Sequence, residues 1–286
     1  MNKDQFWQTL KTEHGYQSPH RRNLAARYLP GWATVVYYLH LIGTFTTASR
    51  EAKRGELDNE RWAFYAHKVI RDAESVGGRI HISGLEHIAH QKSPLVYIAN
   101  HMSLFETLAL AGITLAFSRV NFVIKEELRQ YPIIGNVMRA LNLIAVSRSN
   151  PRQDLRVVMQ AGKEFISNGG SIIIFPQATR SAVFDIDEFN SLGVKLASKA
   201  GVPVVPLAVK TDFHGNGKWF KDVGRIDPRK SIYFKFGEPI PVEGNTRRAH
   251  QQVVGFIVEN LSSWGMTVRG LEEFMKRTVD SDKQAG

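Results

Sequence analysis

The amino-acid sequence predicts an α/β fold with a mostly parallel central sheet flanked by helices. Two observations support this fold class. From residue 79 onward, short runs of β-branched and aromatic residues alternate with longer amphipathic stretches, and strands separated by helices are typical of parallel sheets. Of the 286 residues, 43% are hydrophobic and 22% are charged, which is the composition of a folded globular protein.

The strands and helices of this domain are predicted from the patterns in chain order. Strands are expected at residues 80–82, 95–99, 120–124, 143–146, 171–175, 204–209 and 232–236. Helices are expected at residues 105–116, 128–139, 153–167, 189–200 and 247–261. Residues 79–286 are therefore predicted to form one α/β domain, with a polar tail from residue 279 onward.

A charge-free stretch precedes this domain. Residues 28–49 contain no Asp, Glu, Lys or Arg and lie between Arg27 and Arg50. The length suffices for a membrane-spanning helix of roughly 20 residues, but Pro30 and Gly31 weaken that interpretation. A helix lying in the membrane interface fits the aromatic-rich composition better. The alternative is a buried helix with charged ends.

A second helix is predicted at residues 57–76, where Gly77 and Gly78 end the pattern. The two helices would form an N-terminal helical hairpin. Residues 1–78 are therefore predicted to be a membrane-associating segment that precedes the α/β domain.

The net charge of +10 indicates an anionic partner. Residues 1–54 hold eight Lys and Arg against three Asp and Glu, which is half of the excess. Together with the interfacial helix, this predicts peripheral or monotopic association with an anionic membrane surface. No secretion signal follows Met1, so the cytoplasmic face is expected. Nucleic-acid binding is disfavoured because the basic residues do not alternate with aromatic ones.

Several kinds of site are disfavoured. The absence of cysteine removes disulfides, thiol nucleophiles and thiolate metal sites. His81, His87 and His90 form no metal motif, so no metal is expected. There is no G-x-S-x-G elbow of a serine hydrolase, and residues 215–218 (GNGK) lack the spacing of a phosphate loop and are interpreted as a turn.

A candidate catalytic pair lies directly after the strand at residues 95–99. The strand breaks at His101, while Ser103 and Glu106 have the spacing of a helix capping box. Residues five apart are separated by about 140° around a helix, so His101 can reach Glu106 only from the loop before the helix. In that position the carboxylate would orient the imidazole of a general base. The alternative is a surface histidine beside a glutamate that merely caps the helix.

Three further blocks surround strand ends. Residues 175–181 read FPQATRS and follow one strand, while residues 125–128 read KEEL and follow another, with Pro132 and Gly135 behind them. Residues 202–206 read VPVVP at a strand entrance. With the histidine block, the four blocks resemble the glycerolipid acyltransferase family of the lysophosphatidic acid acyltransferase type. That family carries NH-x4-D, a K-x-L to P-x-x-G block ending in an arginine, FPEGTRS and VPxxP, in this order.

The resemblance implies an O-acyltransferase of phospholipid biosynthesis. Such an enzyme moves a fatty acyl group from an acyl-CoA or acyl-carrier-protein thioester to a hydroxyl of a lysophospholipid, here 1-acylglycerol-3-phosphate, giving phosphatidic acid. His101 would be the general base and Glu106 its partner, with no acyl-enzyme and no cofactor beyond the acyl donor. Cationic side chains suit the acceptor phosphate. The residues implied in binding the acceptor are Lys125, Arg148, Gln177, Thr179, Arg180 and Ser181.

The chain departs from the family pattern at Glu106, which replaces Asp, at Gln177, which replaces Glu, and at Ala178, which replaces Gly. Gln177 keeps hydrogen bonding but loses a charge. Two alternatives follow. The acceptor is another lysolipid or an aminolipid, or the protein binds lipid on the acyltransferase scaffold without catalysis.

Overall fold

The chain folds around an eight-stranded sheet. The computed structural model describes residues 1–19, 31–177, 179–217 and 222–276. The strands are β1 (Tyr16–Gln17), β2 (Arg79–Ser83), β3 (Val96–Ala99), β4 (Val120–Lys125), β5 (Ile144–Val146), β6 (Ser171–Ile174), β7 (Phe184–Asp185), β8 (Val204–Lys210), β9 (Ser231–Phe236) and β10 (Val268–Arg269). The helices are α1 (Lys3–Thr12), α2 (Trp32–Arg54), α3 (Asn59–Ser75), α4 (Glu86–Ala89), α5 (Leu104–Thr114), α6 (Ile134–Ala140), α7 (Pro151–Ser167), α8 (Leu192–Ala200) and α9 (Thr246–Ser263).

The sheet order is β1-β2-β9-β8-β3-β6-β4-β5, and β7 pairs with β10 separately. Within the large sheet, all neighbouring strands are parallel except the pairs β1–β2 and β8–β9. The prediction of a mostly parallel sheet flanked by helices is confirmed. Strand β3 lies between β8 and β6 and is buried at every residue, which explains its continuous apolar run.

Two hydrophobic layers cover the sheet. One face of β3, represented by Tyr97, packs in a cluster that includes Tyr37 of α2, Ile70 of α3 and Phe105 of α5. The opposite face packs in a second cluster against α7, α8 and α9. The alternation of side chains along β3 therefore places α2, α3 and α5 on one side of the sheet and α7 to α9 on the other.

Helix α3 approaches α5 closely at Gly112. A Cβ atom at this position would lie 2.9 Å from the backbone nitrogen of His67, so only glycine fits without a shift of one helix. The indole Nε1 of Trp7 donates a hydrogen bond of 2.8 Å to the Gly112 carbonyl and joins α1 to the same contact. The N-terminal helices are thus packed onto the helix that follows His101.

The prediction of one continuous helix at residues 128–139 is wrong. The structure has a 3-10 helix over Glu126–Gln130, a break, and then α6. Pro132 explains the break, because proline lacks an N–H donor and favours an extended conformation at the residue before it. Tyr131 is extended at φ −66° and ψ 142°, and Ile133 takes a positive φ of 66°.

The N-terminal helices appear as α2 and α3, which pack against each other. Residues 20–30, part of the predicted membrane segment, lie outside the described residues, as do the tail from residue 279 and Lys218 of the predicted turn. Within the described ranges, no helix is both long and apolar enough to cross a bilayer. The domain boundary at residue 78 and the membrane contact of the hairpin stay predictions.

Candidate active site

The site begins where β3 ends. The Asn100 side chain continues the sheet beyond Ala99, because its Nδ2 donates to the Val209 carbonyl and its Oδ1 accepts from the Val209 N–H, both at 2.8 Å. Asn100 is buried and ties the end of β3 to β8. The chain then leaves the sheet at a defined point, which places His101 at the carboxyl edge where open α/β sheets bind ligands.

His101 lies in the loop between β3 and α5, as the spacing predicts. Its Nδ1 is 2.9 Å from Oε1 of Glu106, on the first turn of α5. The His101 side chain is 13% exposed to solvent, whereas the Glu106 side chain is completely buried. The arrangement is a partly accessible imidazole held by a fully buried carboxylate.

Five donors surround the Glu106 carboxylate. Besides His101, Oε1 accepts the backbone N–H groups of Met102 at 2.7 Å and Ser103 at 2.8 Å. Oε2 accepts the hydroxyls of Ser103 at 2.7 Å and Thr211 at 2.6 Å. Burial by itself raises the pKa of this carboxyl, but the hydrogen bonds and the charge of the imidazole hold the pKa below its usual value. Glu106 is therefore ionised at neutral pH.

The third block supports the histidine from the other side. Gln177 is 3% exposed, and its Oε1 accepts the His101 backbone N–H at 2.7 Å. The backbone N–H of Ser181 donates to the His101 carbonyl at 3.0 Å. The Phe175 ring stacks on the imidazole with centroids 4.4 Å apart. Thr179 is exposed beside these groups, and Ala178 lies outside the described residues.

The predicted cations follow neighbouring strands at the same edge. Lys125 ends β4, Arg148 comes after β5, and Arg180 comes after β6. The guanidinium of Arg180 forms an ion pair with the carboxylate of Asp222, and the ammonium of Lys125 pairs with Glu127. The topology thus places the three cations along the edge that carries His101.

The loop of Arg148 has an unusual backbone. Arg148 takes a positive φ of 60°, which is uncommon for a residue with a side chain. The carboxylate of Asp154 stabilises this turn, because it accepts the backbone N–H groups of Arg148 at 2.7 Å and Ser147 at 2.9 Å. Asp154 thereby fixes where the Arg148 side chain leaves the chain.

Thr211 is the main site residue that sequence reasoning missed. It directly follows β8, a fully buried strand parallel to β3, and it hydrogen-bonds Glu106 from 105 positions away in the sequence. Asn216 was missed in the same way, and its Nδ2 donates to the Met102 carbonyl at 2.9 Å. The sequence did contain a signal for Thr211, because this polar residue lies at the carboxyl end of an apolar strand. The same pattern identified His101 as a candidate.

The chain is similar to several known proteins of one family. A family model described as Acyltransferase matches residues 79–210, from β2 to the end of β8. Over 218 residues the chain is 29% identical to a 1-acyl-sn-glycerol-3-phosphate acyltransferase of Pseudomonas aeruginosa, covering 76% of this chain and 78% of that protein. It is 27% identical over 179 residues to the lyso-ornithine lipid O-acyltransferase of the same organism, covering 57% of this chain and 67% of that one.

The fold is similar to the crystal structure of the 1-acyl-sn-glycerophosphate (LPA) acyltransferase PlsC from Thermotoga maritima. The TM-score is 0.56 at 23% identity, covering 81% of this chain and 94% of the other. The chain spans 37% and 38% of two longer plant relatives that it also matches.

Residues 79–210 thus form an acyltransferase domain, which is the class of protein that the fold and the site define. The proteins to which the chain is similar include the lysophosphatidic acid type that its four blocks resemble.

Proposed function

We propose that this protein transfers a fatty acyl group from an acyl-CoA or acyl-carrier-protein thioester to the free hydroxyl of 1-acylglycerol-3-phosphate, giving phosphatidic acid. The hydrogen bond between His101 and the buried Glu106 carries the proposal, because it is the geometry of a general base with its orienting carboxylate. The relatives named for this reaction support the choice of acceptor.

The protonation states follow from the hydrogen bonds. An ionised carboxylate can only accept, so Nδ1 of His101 carries the hydrogen that Glu106 receives. The lone pair then lies on Nε2, which is the atom that accepts a proton from the acceptor hydroxyl. The negative charge of Glu106 stabilises the imidazolium that forms.

The transfer is direct. As Nε2 takes the hydroxyl proton, the hydroxyl oxygen attacks the thioester carbonyl carbon and forms the new ester C–O bond. The tetrahedral intermediate collapses by breaking the C–S bond, and the leaving thiolate takes the proton back from His101. No redox step is involved, and the released thiol reports each turnover.

The acceptor phosphate is proposed to bind at Arg180, with Lys125 and Arg148 along the same edge. A guanidinium matches two phosphate oxygens in its plane, which an ammonium cannot do. Arg180 is paired with Asp222, so phosphate binding exchanges one anionic partner for another. Thr179 and Ser181 flank Arg180 in the chain and are proposed to complete this pocket.

Membrane association is proposed to involve α2. Four large apolar side chains at helical spacing are exposed on this helix: Trp32 at 44%, Val35 at 58%, Leu39 at 64% and Ile42 at 58%. Residues separated by three or four positions lie on one face of a helix. Such a stripe, with Lys53 and Arg54 in the last turn, suits contact with the apolar boundary of an anionic leaflet.

A lysolipid with an amino headgroup is the second candidate acceptor. The similar lyso-ornithine lipid O-acyltransferase favours it. The proposed reaction type and base are the same, and the acceptor lipid differs.

A panel of acceptors tests the proposal. Purified protein in detergent is given palmitoyl-CoA or palmitoyl-acyl-carrier protein with 1-acylglycerol-3-phosphate, lysophosphatidylglycerol or lyso-ornithine lipid. Released thiol is measured and the product is identified by mass spectrometry. Phosphatidic acid as the main product is expected. A diacylated ornithine lipid as the main product would favour the second candidate, and absence of thiol release with every acceptor and both donors would favour the non-catalytic alternative.

A further inference from the structure

We propose that Thr211 is a positioning residue for acyl transfer: its hydroxyl holds Oε2 of Glu106 and thereby keeps Oε1 on His101. The inference rests on the proposed function, since Thr211 acts through Glu106 and does not touch the substrate. Thr211 is fully buried, and its Oγ1 lies 2.6 Å from Oε2 of Glu106.

Thr211 and Ser103 differ in how many acceptors lie within reach of their single hydroxyl hydrogen. The Ser103 hydroxyl lies 2.7 Å from Oε2 of Glu106 and 2.8 Å from Oγ1 of Thr211, but it has one hydrogen to give. In the structure the Thr211 hydroxyl donates to Oε2 of Glu106, and its oxygen accepts from Ser103. Thr211 is therefore the dedicated donor to Oε2, while Ser103 divides its hydrogen between two acceptors.

The position of Thr211 is set by the sheet. It follows β8 directly, and β8 pairs with β3 in a register that opposes Ala99 to Leu207. The two hydrogen bonds between Asn100 and Val209 extend this pairing to within two residues of Thr211. The distance from Thr211 to the histidine loop is thus fixed by paired backbone. A hydroxyl in such a position holds a carboxylate with little freedom to move.

Loss of this hydroxyl would act on Glu106. Oε2 would lose one donor inside a fully buried site, where an unsatisfied charge is costly. The carboxylate would then turn toward its remaining donors, and its hydrogen bond to Nδ1 of His101 would lose its direction. The ionised form of Glu106 would also lose stabilisation, so its pKa would rise.

The test compares Thr211→Val with Thr211→Ser in the acyl-transfer assay. Valine keeps the shape without the hydroxyl, and serine keeps the hydroxyl. We expect Thr211→Val to lower kcat by about tenfold to a hundredfold with the KM of both substrates unchanged. The acidic limb of its pH–rate profile should shift, because the contact between Glu106 and the base is altered, and Thr211→Ser should restore both properties.

The control is Thr114→Val. Thr114 is also fully buried, lies at the end of α5, and donates its hydroxyl hydrogen to the Leu110 carbonyl at 2.8 Å, away from Glu106. It should leave the pH–rate profile unchanged. If Thr211→Val does not fold, Thr211→Ala is examined in the same way.

The proposal is overturned if the folded valine or alanine variant keeps the wild-type kcat, or if it loses activity without a shift of the acidic limb. Lack of turnover by the wild-type protein would instead reject the proposed function, so the two failures are distinguishable.

Discussion

At the scale of single residues, His101 is held at several points before any substrate arrives. Glu106 receives the ring hydrogen, Gln177 and Ser181 bind the backbone N–H and carbonyl, and Phe175 stacks on the ring. Each contact restricts a different motion of the side chain or its backbone. The orientation of the His101 imidazole is therefore set by the fold.

Gln177 provides a prediction at this scale. The amide oxygen of Gln177 accepts the His101 backbone N–H, and the carboxylate of Gln177→Glu would still accept this hydrogen bond. We therefore expect kcat and the preference among acceptor lipids to stay near those of the wild type. Gln177→Ala leaves a backbone N–H without its partner and should lower kcat by about tenfold. Steady-state kinetics with 1-acylglycerol-3-phosphate and lyso-ornithine lipid would measure both. A change of acceptor preference in Gln177→Glu would show that Gln177 contacts the acceptor.

The site could be predicted only in part from single residues. The meeting of His101 with Glu106 could be foreseen, because both lie in one short loop whose capping residues determine its geometry. The contact of Gln177 with His101 could not, because it depends on how two loops fold over the sheet edge. Thr211 shares no local pattern with Glu106 and reaches it through strand pairing alone.

At the scale of elements, α2 combines a buried face with an exposed apolar face. Tyr37 and Leu41 pack in the core, whereas Trp32, Leu39 and Ile42 face outward. One side of the helix thus contributes to the stability of the fold, and the other is free to contact a lipid surface. The charge-free sequence does not indicate which side of the helix is buried, whereas the structure shows it.

The exposed face of α2 gives a prediction that tests membrane contact. Leu39→Asp with Ile42→Asp places two charges on the exposed stripe without disturbing the core, so the protein should remain folded. We expect co-sedimentation with phosphatidylglycerol vesicles to fall by about tenfold or more. Leu155→Asp, at a side chain that is 41% exposed on α7 across the sheet, serves as the matched control. Equal sedimentation of both variants would place the membrane contact elsewhere.

The elements that could be predicted are those with a strong local signal. The central strands are buried on both faces and therefore read as continuous apolar runs. The two-residue strands β1, β7 and β10 are too short to carry a pattern. Helix α1 begins with a capping box between Asn2 and Gln5, a signal that was present in the sequence but overlooked.

At the scale of the whole molecule, parallel strands collect distant blocks at one edge. Four site residues lie at or after the ends of strands that run the same way: His101, Lys125, Arg148 and Arg180. The block at residues 202–206 leads into β8 and lies at the end of that strand away from His101. We infer that it contributes by positioning β8. Alternation of helices and strands predicts parallel pairing, but long-range packing decides the strand order, and the sequence patterns do not reveal it.

The same architecture connects α2 to the site. The Tyr38 hydroxyl donates to the Gly224 carbonyl and accepts from the Gly224 N–H, both at 2.8 Å, and it lies 3.1 Å from Nε2 of His214. Burial lowers the pKa of His214 to about 4, so this ring is neutral at physiological pH. His214 and Gly224, which lie near Thr211 and Asp222 in the sequence, are therefore hydrogen-bonded directly to the helix with the exposed apolar face.

The central claim is acyl transfer with His101 as the general base, and one measurement tests it most directly. Thiol release from palmitoyl-CoA with 1-acylglycerol-3-phosphate is compared between the wild type and His101→Ala, with His81→Ala as the control at a histidine of β2 outside the site. We expect release by His101→Ala to fall by about a thousandfold, since a positioned base typically contributes that much. The control should match the wild type. Equal rates for His101→Ala and the wild type, in folded protein, would contradict the account.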